Sequence, residues 1–108
     1  DHTVTFNACA ACLKWTKAPS VIRVAAYETL SETDLSFSDH HGSFRANRFV
    51  EISGHLDGKI AAMGMYASEL GTFPFPRSEA AIRAQAALRG AQAGFAAAEA
   101  FMVLSERY

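Results

Sequence analysis

The sequence has little excess charge and no long apolar run, and each shortage excludes a class of protein. The 108 residues carry a formal net charge of −1, and 19% of them are charged. Such a balance offers no basic surface for binding nucleic acid or anionic membranes. Charged residues or glycines interrupt every apolar stretch before the roughly 20 residues that a transmembrane helix needs. No secretory signal pattern opens the chain, which begins with Asp1 and not with methionine.

Cysteine is also scarce, and the two that occur form the pair Cys9-Ala-Ala-Cys12 inside a predicted helix. A redox pair usually follows a strand at the N-terminus of a helix, and no strand is predicted before this one. A zinc site would need two further ligands, and adjacent His40 and His41 would struggle to reach one metal together. The spacing therefore favours buried apolar thiols, and two reduced cysteines are compatible with a cytoplasmic protein.

Hydrophobic periodicity predicts both helices and strands along the chain. The expected helices cover residues 2–15, from Ser53 or Asp57 to Leu70, from a Ser78 N-cap to Arg89, and 91–98. The expected strands cover residues 21–27, 49–52 and 101–104, of which the first should be buried on both faces. Residues 28–47 are polar and indicate a long loop. This order of elements predicts part of a three-layer α/β domain.

The most informative segment is Tyr66–Phe101, in which a double-proline elbow leads into an alanine-rich helix. Glycine inside such a helix costs about 1 kcal/mol relative to alanine. Gly90 and Gly94 therefore indicate a close approach of two backbones. Arg77 follows the two prolines of the elbow, and Arg89 directly precedes Gly90. Each could pair with a carboxylate or cap helix carbonyls, and Glu99 is a candidate partner for either.

These motifs resemble the LmbE-like (PIG-L) zinc-dependent N-deacetylases. The family's C-terminal signature is similar to PFPRSEAAIRAQAALRGAQAGFAAAEAF, which begins at Pro74. Upstream, VIRVAAYETLSETD, FVEIS and the helix over residues 59–70 resemble further motifs of the family in the same order. The resemblance covers nearly the whole chain. It implies the C-terminal part of a Rossmann-like domain, with helices packed on a mainly parallel sheet.

The resemblance also implies a division of the zinc site between this chain and residues that it does not contain. The family binds Zn²⁺ through an AHPDDE-type motif and a later H-P-D-H-type motif. This chain has no AHPDDE sequence, and Asp1-His2 matches only the end of the second motif. By that match His2 is a zinc ligand, Asp1 is the neighbour that orients it, and no catalytic residue is supplied. Tyr27 and Glu28 are the expected substrate-contacting rim.

The implied function is that of the C-terminal half of a deacetylase, acting on an N-acetylated amino sugar such as N-acetylglucosamine or its conjugates. We expect the 108 residues to be inactive alone, to require the missing N-terminal part of the same domain, and to allow self-association. An alternative is a non-catalytic binding or assembly module that retains the fold. A third is a redox or metal protein that uses Cys9 and Cys12.

Overall fold

The computed structural model describes residues 1–30 and 44–108, which form a mixed α/β arrangement as predicted. The helices are α1 (His2–Cys12), α2 (Leu56–Gly64) and α3 (Glu79–Ala93), and a short 3₁₀ helix covers Ala67–Glu69. The strands are β1 (Arg23–Tyr27), β2 (Arg48–Glu51) and β3 (Ala98–Glu106). Most of the loop expected over residues 28–47, including His40 and His41, lies outside the described residues.

Two compact units make up this part of the chain. One comprises Asp1–Ala26 with Val103–Tyr108, and the other comprises Tyr27–Met102. In the first unit, the Arg107 amide donates to the Ile22 carbonyl at 2.7 Å, and Arg23 forms an ion pair with Glu106. The C-terminal segment is therefore bound to the residues that begin β1.

The sheet has the strand order β1-β3-β2, with β3 at its centre. Strand β2 pairs antiparallel with β3, so that Arg48 lies opposite Phe101 and Glu51 lies opposite Ala98. The expectation of a mainly parallel sheet is therefore wrong for this pair. Its two strands are joined through α2 and α3, and a connection of that length permits either strand direction. Exposed and half-buried residues alternate along β1, so it is not buried on both faces as expected.

The core of the second unit is built largely from small side chains. Ile52 packs with Ala86 and Ala97, and Leu56 lies against them. Ala86 is 3% exposed and Ala98 is 1% exposed. Because alanine adds only one methyl group, α3 can approach the sheet closely, and little room is left for larger side chains.

Helix α3 begins as predicted and ends later than predicted. The Ser78 hydroxyl accepts a hydrogen bond from the Ala81 amide at 3.2 Å, which confirms Ser78 as the N-cap. The helix then passes through Gly90, so the predicted stop or bend there is wrong, as is a separate helix over 91–98. It ends at Gly94, whose φ of 79° is the left-handed conformation that favours glycine.

Gly90 explains how the chain folds back after α3. A Cβ atom at this position would lie 2.5 Å from the Phe95 carbonyl oxygen and 3.0 Å from Ala97 Cα. The predicted close approach of two backbones is therefore confirmed at Gly90 and is wrong at Gly94, where a Cβ atom would meet nothing within 4 Å. The contact is with the chain that leads from α3 into β3.

Helix α1 has no buried residue and ends at Cys12, three residues before its predicted end. Val4 is 70% exposed, Phe6 is 55% exposed, and Trp15 beyond the helix is 67% exposed. Cys9 and Cys12 are exposed too, so the prediction of buried thiols is wrong. Helical spacing identified an apolar face without identifying what covers it. No helix within residues 1–30 and 44–108 has the length and apolar character needed to cross a membrane.

Candidate functional site

The candidate site centres on Glu28, which directly follows β1, and on Arg89 in α3. The Arg89 guanidinium donates to both carboxylate oxygens, from Nε to Oε2 at 2.8 Å and from Nη2 to Oε1 at 2.5 Å. The Arg89 side chain is only 17% exposed and the Glu28 side chain only 20%. This two-point geometry matches the planar guanidinium to the planar carboxylate and is stronger than a single-point ion pair. Both Glu28 oxygens are thus engaged within the protein.

Two further contacts hold the Arg89 side chain in place. Its Nη1 donates to Gln92 Oε1 at 2.8 Å, one turn along α3. Its guanidinium carbon lies 5.9 Å from the centroid of the Phe44 ring, within the range of a cation–π contact. Hydrogen bonding to Glu28 raises the pKa of Arg89 above its ordinary value, more than burial lowers it. Arg89 therefore stays charged and oriented.

Tyr27 lies beside this ion pair in the chain but has a different environment. It is 71% exposed, whereas Glu28 is half-buried. An exposed phenol can donate to or accept from a sugar hydroxyl, or stack on an apolar ring face. Glu28 instead fixes the chain where β1 ends. A substrate-binding role for Tyr27 and Glu28 stays a prediction, with Tyr27 the more accessible of the two.

The partners of the other charged residues differ in part from those expected. Glu99 pairs with Lys59 at 2.7 Å and not with either arginine. Arg77 donates from Nε to the Glu69 carbonyl at 2.9 Å, and its Nη2 lies 3.2 Å from the Glu69 carboxylate, so both roles considered for Arg77 are observed. Lys59 was missed because helical spacing shows which residues share a face of α2 and does not show which side chain of β3 lies within reach of them.

The predicted zinc-binding residues lie at the start of α1. Asp1 is the N-cap residue; its carbonyl accepts the Thr5 amide at 2.9 Å, and its side chain makes no capping hydrogen bond. His2 begins the helix, and both residues are exposed. Within residues 1–30 and 44–108, no three His, Cys, Asp or Glu side chains are grouped so as to hold a metal. The described residues therefore do not form a three-ligand zinc centre. His2 as a ligand and Asp1 as its orienting neighbour stay predictions that require groups from elsewhere.

The ion pair and the tail of the chain are thus the best-defined parts of the candidate site. The resemblance to the deacetylase family is carried by the sequence motifs alone. Comparison of the chain with protein-family models, with curated proteins and with solved structures gave no match.

Proposed function

We propose that residues 1–108 are the C-terminal portion of a zinc-dependent N-deacetylase that removes the acetyl group from an amino sugar or sugar conjugate. The observation that carries the proposal is the contact between two separate motifs. Glu28 belongs to the Tyr-Glu motif and Arg89 to the Arg-Gly motif, and they share two hydrogen bonds across 61 positions. A chance likeness of two short motifs would not require their charged residues to be partners.

The C-terminal motif, residues 74–101, supports the proposal because several of its residues have definite structural roles. Ser78 caps α3, Gly90 admits the returning chain, and Gly94 ends the helix in a left-handed conformation. These roles account for the residue types at those positions. In this proposal residues 74–101 form a wall of the domain, while the hydrolysis depends on residues outside this motif.

The antiparallel pairing of β2 and β3 is compatible with a Rossmann-like domain of a particular kind. Many large α/β domains have a parallel sheet with an antiparallel strand at one edge. We therefore propose that the described strands form the edge region of a larger three-layer domain. The missing N-terminal part would contribute the parallel strands.

Exposed apolar residues in α1 and just after it support the need for that missing part. Val4 and Phe6 in α1 and Trp15 beyond it are each more than half exposed, and burial of side chains of this size is favourable. Packing of an N-terminal part over α1 would remove this surface from water. It would also bring the AHPDDE-type motif, with the remaining ligands and the general base, to His2. The chain alone is then expected to have no deacetylase activity.

The test is to join the 108 residues to the segment encoded immediately upstream, or to supply that segment as a separate polypeptide. Acetate release from N-acetylglucosamine compounds and the melting temperature are then measured. We expect no acetate from the 108 residues alone, and a higher melting temperature with acetate release once the upstream segment is present. Turnover by the 108 residues alone, or an upstream segment that neither binds nor stabilises them, would contradict the proposal.

A non-catalytic assembly module is the second candidate, favoured by the same exposed apolar residues, Val4, Phe6 and Trp15. A protein contact would cover these side chains as well as a missing half-domain would. This alternative predicts a cooperatively unfolding oligomer that releases no acetate with or without the upstream segment. Sedimentation and acetate measurements on the same samples separate the two candidates.

A further inference from the structure

We infer that Arg89 is a positioning residue that fixes the direction in which the Tyr27 phenol meets a sugar substrate. Its guanidinium contacts the chain at two places, at Glu28 directly after β1 and at Phe44. Neither Arg89 nor Glu28 has to touch the substrate for this role. The inference rests on the proposed deacetylase function, in which the end of β1 forms the rim of the sugar site.

The first contact is the two-point ion pair at the end of β1. The Arg89 guanidinium donates to both Glu28 carboxylate oxygens, and both side chains are mostly buried. Solvent ions screen a pair at this depth less than they screen a surface pair. Two parallel hydrogen bonds to a planar guanidinium also leave the carboxylate little freedom to rotate. The Glu28 side chain and the backbone that bears it are therefore fixed relative to α3.

The second contact is with Phe44, which follows the polar segment that begins after Glu28. The Arg89 guanidinium carbon lies 5.9 Å from the centroid of the half-buried Phe44 ring. The Gln92 side chain accepts from Nη1 at 2.8 Å and holds the guanidinium from α3 itself. Keeping two distant chain positions together costs conformational entropy, and contacts of one side chain with both positions offset that cost. Arg89 thus anchors the chain before and after residues 31–43.

The effect of this anchoring passes from Glu28 to its neighbour Tyr27. Adjacent residues of an extended chain point to opposite faces. Since the Glu28 carboxylate is bonded to α3, Tyr27, the last residue of β1, points away from α3, and it is 71% exposed. Its hydroxyl can donate to and accept from a sugar hydroxyl. A phenol already held in one direction loses less freedom on binding, so Arg89 raises the affinity for substrate without touching it.

The test replaces Arg89 by lysine in the natural polypeptide that contains residues 1–108. Arg89→Lys keeps the charge and loses the two-point geometry, so it separates orientation from charge. The first readout is the NMR signal of the Tyr27 ring, assigned with Tyr27→Phe. We expect this signal to move in Arg89→Lys and also in Glu28→Gln, because the end of β1 is then held less firmly. An unchanged Tyr27 signal in either variant would overturn the inference.

The second readout is the split between KM and kcat for acetate release from an N-acetylglucosamine compound. Arg89→Lys and Tyr27→Phe should each raise KM about 2- to 10-fold, the range for one hydrogen bond, with kcat nearly unchanged. The double variant should raise KM no further than Tyr27→Phe alone, because Arg89 acts through the Tyr27 hydroxyl. Increases that multiply, or an unchanged KM in Arg89→Lys, would overturn the inference. A polypeptide that releases no acetate would contradict the proposed function, and the Tyr27 signal would still decide whether Arg89 positions that ring.

Arg83→Lys is the matched control in the same helix. Arg83 pairs with Asp57 at 2.8 Å and with Glu79 at 2.9 Å, but its side chain is 43% exposed. This variant should leave the Tyr27 signal and KM unchanged. The melting temperature of every variant is measured, and all comparisons are made well below the lowest value. A movement of the Tyr27 signal as large in Arg83→Lys as in Arg89→Lys would indicate a general loosening of α3 and overturn the inference.

Discussion

Arg89 and Glu28 are joined by two parallel hydrogen bonds, at 2.8 and 2.5 Å, between positions 61 residues apart. The pair connects α3 to the residue that follows β1, and both side chains are mostly buried. Removal of either partner leaves the other charge half-buried without compensation, which usually costs more than the pair itself contributes.

We predict that Arg89→Ala lowers the free energy of unfolding by about 2 kcal/mol. Arg89→Lys should recover only part of the loss, because an ammonium group cannot reproduce the two-point geometry. Arg83 is the matched control, since it pairs with Asp57 and Glu79 but is 43% exposed. Arg83→Ala should cost clearly less than Arg89→Ala, because solvent screens an exposed ion pair. Urea unfolding measures all three, and equal losses at Arg89 and Arg83 would contradict the prediction.

The contrast between two helical glycines tests the close approach at the end of α3. A Cβ at Gly90 would lie 2.5 Å from the Phe95 carbonyl oxygen, whereas a Cβ at Gly58 in α2 would meet nothing within 4 Å. Gly58→Ala should therefore stabilise the protein by up to about 1 kcal/mol. Gly90→Ala should destabilise it despite the same gain in helix propensity. Thermal unfolding of both variants gives the two signs, and stabilisation by Gly90→Ala would contradict the close contact between Gly90 and Phe95.

Truncation of Ile52, a large buried side chain of the core, should strongly lower the free energy of unfolding. Ile52 is 8% exposed and packs with Ala86 and Ala97. Ile52→Ala should lower the free energy of unfolding by about 2–4 kcal/mol, because the lost burial is accompanied by a cavity. Leu88 is 58% exposed on α3 and provides the control. Leu88→Ala should change the free energy much less in the same denaturant titration; a similar loss at both positions would place the core elsewhere.

The lowered pKa of the Glu51 carboxyl predicts that the stability of the protein falls at acid pH. Hydrogen bonds from the Ser53 hydroxyl and from its amide, the latter at 2.7 Å, lower the pKa of Glu51. A pKa that is lower in the folded state stabilises the protein above the unfolded pKa of about 4.3. That contribution is lost as the pH falls through the folded pKa. Glu51→Gln should therefore flatten the acid side of the stability profile. Melting temperatures of both proteins between pH 7 and pH 3 test this, and parallel profiles would contradict it.

Sequence patterns predicted the local elements well because their signals are local. A β-branched and apolar run specifies β1 wherever it packs, and Ser78 with Glu79 marks a helix start in any surroundings. The need for Gly90 was also predictable, since a glycine in an alanine-rich helix requires a reason. Its consequence was not, because whether the chain stops at Gly90 or passes it depends on what lies against it.

Long-range relationships were less predictable. The direction of β3 relative to β2, the Lys59–Glu99 pair and the exposure of Cys9 all depend on which surfaces meet. Pairing with a carboxylate was one of two roles considered for Arg89, and the sequence alone could not show which acidic residue would be its partner. Glu28 was predicted only as a rim residue, and its charge partner required the fold.

We propose that these 108 residues complete a zinc-dependent deacetylase whose other ligands lie upstream. The most direct measurement is the intact mass and peptide sequence of the natural polypeptide that contains Asp1-His2. We predict a longer chain with His-Pro immediately before Asp1 and an AHPDDE-type motif further upstream. A natural chain whose upstream sequence lacks both motifs would contradict it, because His2 would then have no partners with which to hold the metal.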